Sequence, residues 1–238
     1  MNEAYLFNPI GIIHSCFTEK FGIPRQPRLA TAARAILDIV PPYDQDEAFT
    51  DLKTFSHVWL VFVFHGIEKG KWRPTVRPPR LGGNRRTGIF ATRSGFRPNP
   101  IGISAVVLEG IDRHNGRLCL TLSGVDLLDQ TPVLDIKPYV PYSDRIPEAA
   151  GGFATASPQA VLKVEFARAA QRACHRLEHR YPAFMELVTQ VLRADPRPAY
   201  CKQRKERTDF GIRLYDVNVR WKIRGEKVWV FSVEKIEV

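Results

Sequence analysis

The first 140 residues carry short apolar runs bounded by proline, glycine and asparagine, a pattern that predicts strands. An extended segment starts at Tyr5-Leu6-Phe7 and continues through residues 9–15. A second run, 35–40, is stopped by Pro41-Pro42, which cannot continue a regular element. Residues 51–55 fit a short helical turn. The run 57–65 (HVWLVFVFH) is continuously β-branched and aromatic, which predicts a strand buried on both faces. Strands are also expected at 88–92, 101–113 and 117–125. The last two are joined by His114-Asn115-Gly116, and Asn-Gly is the strongest short hairpin signal. A further extended piece covers 133–138. Many strands with few helices predict a closed or nearly closed barrel.

The pattern changes at Pro147-Glu148-Ala149-Ala150-Gly151-Gly152, which reads as a linker. Beyond it, 158–166 predicts a strand. The segments 167–180 and 182–194 predict helices, with Pro182 in a first helical turn. Val217, Val219, Trp221 and Ile223 then alternate with polar neighbours, Gly225-Glu226 makes a turn, and 228–233 returns as a strand. The expected organisation is a mainly β domain over 1–150 followed by a small α+β domain over 151–238.

Charge changes this picture from architecture to partners. The 238 residues carry a net charge of +10 and a pI near 9.7, which favours polyanions, nucleic acid first. From Lys71 to Arg97 there are eight basic residues and no acidic one. The longest apolar run, 58–64, is far short of the roughly 20 residues that span a bilayer, and the N-terminus lacks the basic start of a signal peptide. A cytoplasmic protein with no membrane association is expected. Cys16, Cys119, Cys174 and Cys201 are scattered, without the spacing of a zinc site, as suits reduced thiols.

Three stretches carry candidate chemistry. In residues 77–86 (RPPRLGGNRR), Pro-Pro fixes an extended backbone and Gly-Gly lets it reverse. Arg77, Arg80, Arg85 and Arg86 are thereby presented to phosphates, unless the loop is merely solvated. In 88–104 (GIFATRSGFRPNPIGIS), Arg93, Arg97 and Asn99 lie in a proline-restricted loop between two apolar runs. Arg93 and Asn99 there hold a carboxylate, a ribose or an amide, or the segment is a well-capped turn. Asp126 and Asp129 follow a strand and either accept from a ribose or an adenine amino group, neutralise a cation, or cap a turn, and His65 reads as a satisfied structural histidine. In 195–205, Arg197, Tyr200 and Lys202 combine cations with an aromatic ring, as single-stranded RNA recognition requires. No nucleophile elbow, phosphate loop or Rossmann glycine motif is present.

The chain closely resembles the TrmO (TsaA-like) family of tRNA methyltransferases. The resemblance rests on "EKFGIPRQP" (19–27), "FSHVWLVFVFH" (55–65), "WRPTVRPPRLGGN" (72–84), "GIFATRSGFRPNPIGIS" (88–104), "DLLD" (126–129), "TPVLDIKPY" (131–139) and "DPRPAY" (195–200). It implies a single-sheeted β-barrel that uses S-adenosylmethionine to methylate N6 of threonylcarbamoyladenosine beside the anticodon. It also implies a homodimer with the active site near the subunit interface. Carried over by motif, the cofactor contacts are Gln26, Pro27, Arg28, Phe64, His65, Arg93, Ile103, Asp126, Leu127, Leu128 and Asp129. Arg28 stands where relatives have a small residue, so its contact is expected through the backbone. Gly95 replaces a bulkier residue of some relatives and is expected to loosen its loop. Asn99 and Arg93 are the expected catalytic residues: one of them, or a backbone carbonyl, orients the reacting nitrogen while bulk water takes its proton, and no single general base stands out. The anticodon arm is expected on Arg77, Arg80, Arg85, Arg86, Arg197, Tyr200 and Lys202. The competing readings are an RNA-binding barrel without catalysis, and a methyltransferase acting on another RNA or on a small molecule.

Overall fold

The structure, a computed structural model, describes residues 5–68, 70–158, 162–197 and 209–236. In chain order the strands of the first half are β1 (Gly11–Ser15), β2 (Arg34–Ile39), β3 (His57–Val63), β4 (Thr75–Val76), β5 (Thr87–Gly88), β6 (Ile101–His114), β7 (Arg117–Ser123) and β8 (Thr131–Pro138). A single turn of helix, α1 (Pro141–Asp144), ends this half. Then come β9 (Lys163–Phe166), α2 (Arg168–Leu177), α3 (Phe184–Arg193), β10 (Asp209–Leu214), β11 (Val217–Arg224) and β12 (Lys227–Lys235).

Six strands close into an antiparallel barrel of order β1-β2-β7-β6-β3-β8. Closure removes the unpaired edges that a sheet of this length otherwise exposes. Side chains alternate across the barrel wall. Ile13, Leu37, Ile39, Val58, Leu60, Val106, Leu120, Leu122 and Val133 fill the interior.

The β3 run is therefore not buried on both faces, as its composition suggested. Val58, Leu60 and Phe62 point inward, while His57, Trp59, Val61 and Val63 are half-buried on the outside. One closed sheet has one interior, so a wholly apolar strand must leave half its side chains outside. The expected β6–β7 hairpin forms with Asn115 at φ 52° and Gly116 at φ 81°, the left-handed pair that an Asn-Gly turn supplies.

The segment expected as a strand over 88–92 is instead two residues of β5 followed by a single 3-10 turn, Ile89–Ala91. Ile89 is buried, but Phe90 is 74% exposed, so the run has no second face to bury. Tyr5, Leu6 and Phe7 are exposed and outside any strand.

In the second half, a four-stranded sheet of order β10-β11-β12-β9 carries α2 and α3 on one side. Strand β10 was not expected, although Phe210, Ile212 and Leu214 alternate correctly for it. Helix α3 starts two residues later than expected because Ala183 takes a left-handed φ of 58°, which leaves Pro182 outside the helix.

The core of this sheet is continuous with that of the barrel, through Phe17, Ala30, Phe184, Val188, Ile212 and Leu214. Polar contacts fix the junction. Tyr215 N donates to Cys16 O (2.8 Å), Gln190 Nε2 donates to Thr31 Oγ1 (3.0 Å), and Ala32 N donates to Gln190 Oε1 (2.9 Å). Among the described cysteines, Cys16, Cys119 and Cys174 are buried and free, and burial pushes the Cys16 thiol up to about 12.

Candidate active site

A cavity of about 470 Å³ opens at one end of the barrel. Its lining comes from five places: the loop after β1 (Lys20, Ile23 to Gln26), the end of β3 and the turn after it (Phe62 to Ile67), the 92–97 loop, the start of β6 (Ile101 to Ser104), and the segment after β7 (Asp126 to Leu128) with Thr131. Each lies at or just beyond the end of a barrel strand, where the ladder stops and side chains no longer meet partners across the interior.

Two glycines shape the apolar wall. A Cβ on Gly102 would sit 2.3 Å from the Phe62 ring, and one on Gly95 would sit 2.6 Å from the Phe64 ring. The two rings lie edge to face, 5.1 Å apart. Gly95 is buried against Phe64 and Ile67, so it tightens the loop where a looser one was expected.

The 92–97 loop is clamped from within. Arg97 Nη1 donates to Thr92 O (2.7 Å) and Ile89 O (3.3 Å), and its guanidinium stands over the Phe90 ring. Arg93 reaches across and donates from Nη1 to Gln26 Oε1 (2.8 Å), joining two loops that are distant in sequence.

The acidic group of the cavity is Asp126. Its Oδ1 accepts from the buried Ser104 hydroxyl at 2.6 Å. Burial pushes the Asp126 carboxyl up to about 6, a rise moderated by the Ser104 hydrogen bond, its own backbone amide and the charge of Arg93. The basic groups are Lys20, which donates to Gly66 O, with Arg25, Arg93 and Arg97.

His65 Nδ1 lies 3.3 Å from Thr131 Oγ1, and that hydroxyl donates to Leu128 O at 2.6 Å. The hydroxyl proton being used, His65 must be the donor in the contact, which assigns its proton to Nδ1. Burial and the nearby Lys20 charge hold the imidazole below its ordinary range, so it is neutral at pH 7.

Of the residues singled out in the sequence, the cavity brings together Gln26, Phe64, His65, Arg93, Arg97, Ile103, Asp126, Leu127 and Leu128. Four stand apart from its lining. Pro27 follows Gln26 away from it. Arg28 adopts φ 65° and donates its backbone N–H to Gly124 O (2.7 Å). Asp129 instead accepts from the Ser15 backbone N–H (2.9 Å), capping β1. Asn99 is exposed outside the lining, and its carbonyl closes a tight turn by accepting from Ile101 N (2.8 Å).

Lys20, Arg25 and Ser104 were not singled out. Lys20 and Arg25 do flank the glycine-proline turn of "EKFGIPRQP", but nothing local marks Ser104, whose partner lies 22 residues away.

The basic loop 77–86 closes the β4–β5 hairpin, with Gly82 and Gly83 both left-handed as its reversal requires. Arg77, Arg85 and Arg86 are exposed, and Arg80 donates to Ala156 O. Arg197 departs from the expectation of a free phosphate ligand. It grips Asp195 with Nε (2.8 Å) and Nη2 (3.0 Å), and its side chain is only 14% exposed. Tyr200 and Lys202 lie outside the described residues.

Comparison with known proteins decides the family. Residues 12–145 match the tRNA-methyltransferase O N-terminal domain, and residues 159–236 match the TrmO C-terminal domain. The chain belongs to the TrmO family. It is 45% identical, over 98% of its length and 99% of the relative's, to the tRNA (adenine(37)-N6)-methyltransferase of Escherichia coli strain K12. It is 54% identical, over 90% of both chains, to a putative S-adenosylmethionine-dependent methyltransferase, RcsF, of Pseudomonas aeruginosa. A crystal structure of TrmO from Pseudomonas aeruginosa superposes with a TM-score of 0.80 at 44% identity, covering 98% of this chain and 99% of that one.

Proposed function

We propose that this TrmO-family chain methylates N6 of threonylcarbamoyladenosine at position 37 of tRNA, with S-adenosylmethionine as methyl donor. The observation that carries the reading is the full-length relationship to tRNA (adenine(37)-N6)-methyltransferases, joined to a cavity whose chemistry suits that donor.

The fit is chemical. S-adenosylmethionine combines an aromatic base, a ribose, a cationic sulfonium and a carboxylate. The cavity combines the rings of Phe62, Phe64 and Phe96 with one carboxylate, Asp126, and the cations Lys20, Arg25, Arg93 and Arg97. The aromatic wall would hold the base, the cations would hold the carboxylate end, and Asp126 would offset the positive charge. Gln26, Phe64, His65, Arg93, Ile103 and the Asp126–Leu128 segment form this binding set. When bound, the donor supplies a methyl group already activated by its positive sulfur.

What remains for the protein is alignment and a proton. As N6 of the urea-like group takes up the methyl, it must lose its hydrogen, and the Asp126 carboxylate accepts it. Ser104 fixes the orientation of that carboxylate through Oδ1. A carboxyl near 6 is ionised at neutral pH yet basic enough to take a proton, which Asn99 and Arg93 are not. Arg93 positions the loop through Gln26 and does no proton transfer.

The barrel, 1–150, is the donor-binding domain, and 151–238 is the tRNA-contacting domain. Arg77, Arg85 and Arg86 contribute phosphate contacts from the β4–β5 loop. The chain works as a homodimer. Ile101, Ile103 and Phe90 are exposed beside the cavity mouth and supply the apolar face that a second copy covers. Its place is the cytoplasm, where its substrate is, and no described helix is long and apolar enough to cross a membrane. Nucleoside analysis of reacted tRNA tests the assignment. The expected product is threonylcarbamoyladenosine heavier by one methyl at N6, and a methyl at any other position would overturn it.

A further inference from the structure

The side of the C-terminal sheet turned away from α2 and α3 has a composition that the cavity chemistry does not use. In β11 and β12, Val219, Trp221, Val228 and Val230 are buried beneath the sheet. Arg220, Lys222, Arg224, Trp229 and Phe231 alternate with them and stand on the opposite side. The Arg220 guanidinium lies 5.3 Å from the centre of the Phe231 ring, and Lys222 Nζ lies 5.3 Å from the same centre. Arg224 lies 5.7 Å from the Trp229 ring. A register shift at Arg220/Trp221 places Phe231 as the extra residue of β12, which lets two cations share one ring.

Carboxylates are present at the margins of this face. Asp209 pairs with Lys222 at 3.4 Å, Glu165 pairs with Lys163 and Lys227 on the β9 side, and Glu234 hydrogen-bonds Ser232. Charges that serve only solubility project into water and need no rings beneath them. Here three cations are held close to two half-buried rings, and that combination suits RNA with unstacked bases: rings and guanidinium planes stack on bases, and cations hold phosphates. The β10 edge of the same sheet reaches the loop that lines the cavity. Arg213 of β10 donates its backbone N–H to Glu19 Oε1 (2.9 Å), and Glu19 precedes Lys20 of the cavity lining.

We propose that this sheet face docks an unpaired stretch of the substrate tRNA, with phosphates on Arg220, Lys222 and Arg224 and a base stacked at Trp229. The assignment rests on tRNA being the substrate. Its test is tRNA affinity of the full-length protein, measured against salt, alongside calorimetric affinity for S-adenosylmethionine. Three variants are compared with the wild type: Arg220→Gln/Lys222→Gln/Arg224→Gln, Trp229→Leu, and a charge-matched control, Arg168→Gln/Arg172→Gln/Arg176→Gln, on the exposed side of α2.

The sheet triple variant is expected to bind tRNA at least about tenfold more weakly and to lower the salt slope by about 2. Trp229→Leu is expected to lose about tenfold. The control is expected to lose less than about threefold, and all variants are expected to keep their cofactor affinity. Equal losses in the two triple variants would overturn the proposal as a mere effect of net charge. Unchanged tRNA affinity in the sheet variants would overturn it too, and an accompanying fall in oligomer mass would mark the face as a contact between copies. A wild type that binds S-adenosylmethionine but no tRNA would remove the substrate reading and the proposal with it.

Discussion

Replacing Asp126 by asparagine separates what the fold tolerates from what the reaction needs. Asparagine keeps the size and an Oδ1 that still accepts from Ser104, but it removes the charge. In the folded chain the carboxyl is raised from its ordinary 3.8 to about 6, so holding it ionised costs the native state about 3 kcal/mol at neutral pH. That is an upper figure, since the cavity opens to solvent. The sign follows from proton linkage. Between pH 3.8 and 6 the folded state binds more protons than the unfolded chain, so native stability falls as pH rises through this window. Asp126→Asn is therefore expected to be more stable than wild type by about 1–3 kcal/mol at pH 7.5. The difference should shrink as pH drops through 6 and vanish below 4. Urea unfolding at a series of pH values measures it.

Activity should move the other way. Loss of a proton acceptor lowers the single-turnover rate of methyl transfer by about a hundredfold or more. It also removes the acid limb that wild type shows as Asp126 becomes protonated. Refutation would be a variant as active as wild type with the same acid limb, or one that is less stable at pH 7.5 than at pH 5 relative to wild type.

Other consequences are independent of that carboxylate. Arg93→Ala removes the bridge to Gln26 and a cation of the cavity, and should weaken S-adenosylmethionine binding at least about tenfold by calorimetry; unchanged affinity would contradict the assignment. Gly102→Ala forces a methyl group to within 2.3 Å of the Phe62 ring, so unfolding should show a loss of about 1–3 kcal/mol together with weaker cofactor binding. Ser104→Ala removes the donor that lowers the Asp126 carboxyl, so the acid limb of the rate profile should move to higher pH. Ile103→Asp places a charge in the exposed apolar face, and sedimentation should show a monomer where wild type gives a dimer.

The barrel was legible because its strands carry their own punctuation: Pro41-Pro42 ends β2, Asn115-Gly116 turns β6 into β7, and the 57–65 run reads as a strand from composition alone. Which side of that run faces inward was not legible, because a wholly apolar strand gives no alternation to read, and only closure of the barrel decides it. The 88–92 segment misled for a related reason. Four apolar residues suggest a strand, but Phe90 lies at the surface beside Arg97 and meets no second sheet.

The site was visible as motifs rather than as contacts. Arg93 with Gln26 joins two loops, and Ser104 of β6 with Asp126 joins a strand to the loop after β7; closure of the barrel brings each pair together, and nothing in the local spacing announces them. Asp129 and Asn99 looked equivalent to their neighbours in sequence, yet one caps β1 and the other closes an exposed turn. The sheet-face cations were overlooked because the exposed positions of a strand resemble ordinary solubilising charge until the rings beneath them are seen.

The central claim is tested most directly by offering labelled S-adenosylmethionine and two preparations of threonine tRNA, one carrying the threonylcarbamoyl group and one lacking it. Label on the modified tRNA alone is the predicted result. Label on both alike, or on neither while the cofactor still binds, would contradict it.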